Sequence, residues 1–275
     1  VNDTRPIAKA AIWIFVGAAM ILQLLPFYVT VTTALKPRTD RSSSWLLPQG
    51  EIAWENFQTA IEDGNVITAI VNTALITVVS TLLTCVIAAA AAYPLARRTT
   101  IGNRTLLLAI VGLMMIPPLS TLVPLYTLLR GIGALNTHWG LTIVMVANGL
   151  PLAIFLYAAF MRSLPVSVEE AARVDGASQL QVLWQIVVPM LKPVTATVII
   201  LTSVGVWNEF ALSNYILTKP DTRMIAPSIS TFFSATGSNF GAAAAASLLA
   251  VAPVLIAYLF LQRQFISGMV AGAEK

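Results

Sequence analysis

Residues 169–189 read EEAARVDGASQLQVLWQIVVP, a polar stretch between two long apolar runs. Leu164-Pro165 closes the run before it. Ser167 and Glu170 have the S-x-x-E spacing of a capping box, so a short helix is expected to start at about Val168. Gly176 is expected to end it, because glycine enters the left-handed conformation of a helix terminus without strain. Ser178 and Gln181 repeat the capping pattern for a second helix, in which Leu180, Leu183, Trp184 and Val187 would share one apolar face before Pro189 intervenes. The expected product is a knob of two helices around a tight turn. Ala171 and Ala172 keep its first helix slim enough to enter a groove on another protein, ringed by the charges of Glu169, Glu170, Arg173 and Asp175.

The surroundings of the knob are membrane-like. Hydrophobic residues make up 57% of the 275 and charged residues 10%, with mean hydropathy +0.81, far too apolar for a soluble domain of this size. A helix needs about 20 mainly apolar residues to cross a bilayer. Six such runs are expected, near residues 10–35, 66–96, 105–129, 139–161, 193–217 and 243–262. The fold class is therefore all-α: a polytopic membrane protein, read as one domain over 1–275, with an extramembrane loop at about 36–65 and the knob within about 162–192. The first run lacks a small-residue cleavage site and is followed by others, so it is expected to be an anchor and not a removed signal.

Charge gives the orientation. With both termini cytoplasmic, ten of the 16 basic residues fall inside: Arg5, Lys9, Arg97, Arg98, Arg104, Arg162, Arg173, Lys192, Arg263 and Lys275. The other six, Lys36, Arg38, Arg41, Arg130, Lys219 and Arg223, fall outside. That excess follows the positive-inside rule and places the knob in the cytoplasm and the 36–65 loop outside. The net charge of +4 is accounted for by residues flanking the runs, so no nucleic-acid partner is called for. Cys85 is the only cysteine and His138 the only histidine, which excludes an intrachain disulfide and a Cys/His metal centre.

Punctuation within the runs carries further expectations. Pro117-Pro118 and Pro124 must interrupt the hydrogen-bond ladder of the third run, which protein or a water-filled cavity has to satisfy. Trp54, Phe57, Ala60 and Ile61 recur at helical spacing in the outer loop and suggest a short amphipathic helix. The run GAAAAAS at 241–247 lets a helix approach a neighbour closely.

Glu170-Ala171-Ala172, Gly176, Ile186 and Pro189 in register resemble the "EAA" loop of ATP-binding-cassette importer permeases, with Val188 in place of a leucine. Lys36-Pro37, WENFQTAI at 54–61, AAYPLARR, VWNEF at 206–210 and the tail from Gln262 extend the resemblance, over nearly the whole chain, to carbohydrate-importer permeases of the maltose type. The resemblance implies half of a translocation pathway in a prokaryotic inner membrane, working by alternating access. It implies a second related permease, an ATPase dimer docked on Glu169, Glu170, Ala171, Ala172, Asp175 and Gly176, and an extracytoplasmic binding protein that delivers sugar. The tail, Gly268–Lys275, would make a second contact with the ATPases. No cofactor is expected on this chain: no lysine is followed by Ser or Thr, so a phosphate-binding loop cannot be written, and ATP and Mg belong to the partner.

The substrate path is expected near Glu209, the one acidic residue inside an apolar run. Trp207, Asn208 and Glu209 combine an aromatic face with hydrogen-bonding groups, the chemistry that binds sugars; a buried polar contact with the partner permease fits them equally. Asn72 and Asn148 are candidates to line the same cavity, with interhelical hydrogen bonding as the other reading. An importer of a non-sugar solute, such as a polyol phosphate or oligopeptide, and an autonomous secondary transporter are the alternative functions.

Overall fold

The computed structural model describes residues 6–98, 100–234 and 237–273, with side chains at all of these except 6, 7, 8, 234, 237, 257, 258 and 260 onward. Its helices are α1 (Pro6–Ala34), α2 (Glu55–Glu62), α3 (Val66–Arg97), α4 (Ile101–Leu113), α5 (Leu122–Gly131), α6 (His138–Ser163), α7 (Ser167–Val174), α8 (Gln179–Gln181), α9 (Val188–Met190), α10 (Lys192–Trp207), α11 (Ala211–Ile216), α12 (Ile225–Ser230) and α13 (Phe240–Ala273). Among the described residues the only strands are β1 (Phe233–Ser234) and β2 (Gly237–Ser238), an antiparallel pair in which Phe233 faces Ser238. The chain divides into two compact units, Val1–Ile67 with Ser228–Leu255 and Thr68–Pro227 with Ile256–Lys275.

Among the described residues, three helices are long and apolar enough to cross a membrane unbroken: Lys9–Ala34, Val66–Arg97 and His138–Ser163. Two further helix pairs are apolar and long enough only when taken together, each bent at a short break. In the third expected run α4 and α5 meet at 92°, because Pro117 is extended and Pro118 opens a single 3-10 turn, so the ladder is broken where the prolines stand. In the other pair Gln179–Met190, from the polar loop, and Lys192–Trp207, from the fifth expected run, meet at 78° across Leu191. The described residues thus supply up to five spans. The sixth expected run, 243–262, falls on α13, whose side chains are described only in part.

In the first unit, α1 exposes its bulky residues, Trp13, Ile14 and Phe15 among them, as a lipid-facing helix does. Its end is held by Asn56, whose buried side-chain amide donates to the carbonyls of Ala34 (2.9 Å) and Lys36 (2.8 Å). These are orphan acceptors of a helix C-terminus, satisfied here from α2. A Cβ at Gly241 would lie 2.6 Å from that amide, so the small residue is required for the approach. Ala242, Ala245 and Ala246 are fully buried, as the small-residue run at 241–247 leads one to expect. The face of α2 differs from expectation: Asn56 and Ala60 are its buried residues, while Trp54 and Ile61 are exposed, because the amide seeks the orphan carbonyls of α1.

Two apolar clusters form the core of the second unit. One includes Ile76, Leu141, Met145, Leu212, Leu217 and Met224. The other includes Ala88, Ala92, Tyr157, Met161, Val182 and Val187, and it underlies the 164–191 loop. Asn136, at φ +57°, accepts from the backbone N–H groups of Thr218 (2.7 Å) and Lys219 (3.0 Å), tying the start of α6 to the end of α11.

Candidate coupling site and substrate cavity

The 164–191 loop folds as two short helical segments around a glycine turn. Gly176 has φ +87°, its N–H donates to Arg173 O (3.0 Å), and the N–H of Ala177 donates to Ala172 O (2.9 Å). This pair of bonds is a Schellman motif with Gly176 at its left-handed position. The capping box opening the second segment is formed as expected: Ser178 N donates to Gln181 Oε1 (2.8 Å) and Gln181 N donates to Ser178 Oγ (3.4 Å).

Two local expectations fail, each for a physical reason. Ser167 does not cap α7. Val166 already has helical dihedrals (φ −68°, ψ −27°) and its carbonyl accepts from Glu169 N (2.9 Å) and Glu170 N (3.0 Å), which places Ser167 inside the first turn. The second segment is a π-helix over Val182–Val187, so the buried residues are Val182, Leu183 and Val187, spaced by one and four positions, while Leu180 and Trp184 are exposed. A wider turn rotates the apolar face away from the 3.6-residue period on which the expectation rested.

Glu169 is where the sequence reading falls furthest short. It is 2% exposed and points into the protein, not toward a partner. Its Oε1 accepts from Arg97 Nε (2.7 Å) with Arg97 Nη2 at 2.6 Å, and its Oε2 accepts from the Tyr93 hydroxyl (2.8 Å). Arg97 also donates from Nη1 to Met161 O (2.6 Å), and Arg173, one turn beyond Glu169, donates to the Tyr93 hydroxyl (3.0 Å). A buried carboxylate is held because its lone pairs are filled by charged and neutral donors; losing one partner of such a pair costs about 3–5 kcal/mol. Tyr93 is marked by the sequence only through the AAYPLARR segment, and Arg97 only there and as one of the basic residues that set the orientation.

The outward face of α7 carries Glu170, Ala171, Val174 and Asp175, all exposed, and Val174 is 88% exposed at the tip. Ala172 is half-buried against the cluster beneath, so of the two expected slim positions only Ala171 is open. Val174 was not singled out by spacing, since a lone valine in a polar loop carries no periodic signal.

A second feature is a cavity of about 230 Å³ within the same unit. Asn148 and Glu209 line it with Met145, Leu152, Leu201 and Thr202. Glu209 is not mid-helix as expected. The span ends at Trp207, and Glu209 lies in the break before α11, where its Oε1 accepts from Leu212 N (2.7 Å). An acidic side chain satisfies an orphan donor there. Trp207, Asn208 and Asn72 do not line the cavity. Asn208 Nδ2 donates to Val204 O (2.9 Å) of its own helix. Asn72 Nδ2 donates to Asp221 O (2.9 Å) and Arg223 O (3.1 Å), fastening the 220–224 turn. The tail Gly268–Lys275 lies outside the residues whose side chains are described.

Apolar spans joined by a folded polar loop define a multi-pass membrane protein, and residues 86–270 match the family described as the binding-protein-dependent transport system inner membrane component. The chain belongs to that family and is a transport permease subunit. It is 38% identical to the melibiose/raffinose/stachyose import permease protein MelC of Bacillus subtilis (strain 168), over 91% of each chain. It is 30% identical to the trehalose transport system permease protein SugB of Mycobacterium tuberculosis (strain CDC 1551 / Oshkosh), over 97% of this chain and 98% of that one. A chain from the crystal structure of a bacterial ABC transporter involved in the import of the acidic polysaccharide alginate shares the fold, with a TM-score of 0.79 and 22% identity over 96% of this chain and 99% of that chain.

Proposed function

We infer that this chain is one permease subunit of an ATP-driven carbohydrate importer and that α7 is the element on which a separate ATPase docks. The observation that carries the docking reading is the loop's construction: a Schellman turn at Gly176 and a capping box at Ser178 stiffen a protrusion whose tip exposes Ala171, Val174 and Asp175. A rigid protrusion transmits force; a solvated loop does not. The carbohydrate reading is supported by relatives named for melibiose, raffinose, stachyose and trehalose transport.

In this reading both termini and α7 are cytoplasmic, a second permease completes the pathway, and an extracytoplasmic binding protein delivers the sugar. ATP and Mg are bound by the partner ATPases, and this chain is not itself an enzyme. ATP binding draws the ATPases together, α7 moves with them, and the pathway switches from inward-facing to outward-facing; hydrolysis resets it. Glu209 and Asn148 supply an acceptor carboxylate and a donor–acceptor amide to an otherwise largely apolar cavity, groups that pair with sugar hydroxyls.

Purification in mild detergent tests the assembly: recovery of an ATPase and a second permease with this chain is the expected result. Adding candidate oligosaccharides with the binding protein should then stimulate ATP hydrolysis. Sugar uptake into vesicles holding this chain alone would overturn the reading.

A further inference from the structure

Glu169 is the only buried side chain of α7, and it is a charge. The remaining faces of α7 are exposed or, at Ala172, half-buried, so its attachment to the spans runs chiefly through one carboxylate. That carboxylate is gripped by the last turn of α3, where Arg97 and Tyr93 stand one turn apart, and Arg97 extends the grip to the end of α6 through Met161 O. Arg97 holds Oε1 through Nε, with Nη2 against the same oxygen, and Tyr93 holds Oε2, so both carboxylate oxygens are fixed in direction as well as distance, which apolar packing of an alanine helix does not achieve. Pro94, within the same turn of α3, lacks the donor that would stiffen the helix there, so displacement of the gripped end can be taken up locally as bending.

We propose that Glu169, Arg97 and Tyr93 form a joint that makes α7 and the end of α3 move as one body, and that this joint sets how completely ATP hydrolysis is converted into transport. The three act as positioning residues, since none reaches substrate or nucleotide. The inference rests on α7 being the docking element. Glu169 accordingly acts inward, leaving Glu170, Ala171, Val174 and Asp175 to face the ATPase.

The test uses the complete transporter, with both permeases, the ATPases and the binding protein, reconstituted in proteoliposomes. The readout is ATP hydrolysed per sugar imported, in preparations that retain the ATPase on purification. Arg97→Gln is expected to raise that ratio tenfold or more, Arg97→Lys to raise it several-fold because the charge stays and the fork is lost, and Tyr93→Phe to raise it about twofold. The exchanged pair Glu169→Arg with Arg97→Glu is expected to bring the ratio back toward wild type. A wild-type ratio in assembled Arg97→Gln overturns the proposal, as does a raised ratio that the exchanged pair leaves raised. Where Arg97→Gln does not assemble, a wild-type ratio in both Arg97→Lys and Tyr93→Phe overturns it. Ala171→Trp separates the two readings: loss of the ATPase from that variant upholds docking whatever Arg97 does, and its full retention defeats docking itself.

Discussion

Replacing Gly176 isolates the contribution of a single backbone conformation. Its φ is +87°, and a Cβ built there meets nothing within 4 Å, so no steric clash with a neighbour enters. What changes is the cost of the left-handed region, about 1–2 kcal/mol for an ordinary L-residue and more for a β-branched one. Gly176→Asn should cost least, because asparagine tolerates this region; Gly176→Ala should cost about 1 kcal/mol and Gly176→Val about 2–3 kcal/mol. Since 1.4 kcal/mol is a factor of ten, the valine variant should lower the equilibrium constant between the Schellman turn and a frayed loop by roughly 30- to 140-fold. The assay is sugar uptake and ATP hydrolysis measured together in proteoliposomes. Uptake should fall in the order Asn, Ala, Val while the amount of chain inserted in the membrane stays constant. Equal uptake in the valine and asparagine variants would mean that the left-handed turn at Gly176 does not matter for transport, because the two differ chiefly in left-handed preference.

Other positions give independent tests. Asn56→Leu leaves the carbonyls of Ala34 and Lys36 without their donor and should lower thermal stability in detergent by about 2–4 kcal/mol, read by the unfolding midpoint. Gly241→Val should destabilise similarly, and combining it with Asn56→Leu should be less than additive, since both disturb one contact. Glu209→Gln keeps an acceptor for Leu212 N and should preserve the fold, whereas Glu209→Leu removes it; a loss of sugar-stimulated hydrolysis in the glutamine variant identifies a role for the charge beyond capping. Hydrogen bonds from Ser42 hold the Asp40 carboxyl below the usual carboxylate range. A lowered folded value means that the stabilisation of the 40–49 turn is present above the ordinary range near pH 4 and is lost as pH falls through and below it, which limited proteolysis of the outer loop at graded pH should show and Asp40→Asn should abolish.

The apolar runs and the punctuation between them were legible because each rests on local chemistry. Prolines at 117 and 118 have no donor wherever they stand, and a glycine after a short polar helix ends it by the same conformational freedom in any context. The inner sense of α7 was not legible. Glu169 and Glu170 are adjacent, chemically identical carboxylates, and which of them turns inward depends on a helix beginning at Ser167 and on Arg97, 72 positions earlier. The π-turn at Val182–Val187 altered which apolar residues are buried without leaving a trace in composition. The cap at Glu209 was not legible because an apolar run does not reveal where its helix stops; the break after Trp207 leaves the carboxylate to accept from Leu212 N.

If the tip of α7 meets a nucleotide-driven partner, a cross-linker placed at Val174 should capture that partner. In a transporter carrying Cys85→Ser and Val174→Cys, a short thiol-to-amine cross-linker should join this chain to the ATPase subunit, identified by mass spectrometry of the adduct, with a yield that changes when ATP is bound. An assembled, transport-competent complex in which Val174→Cys never captures the ATPase would contradict the account.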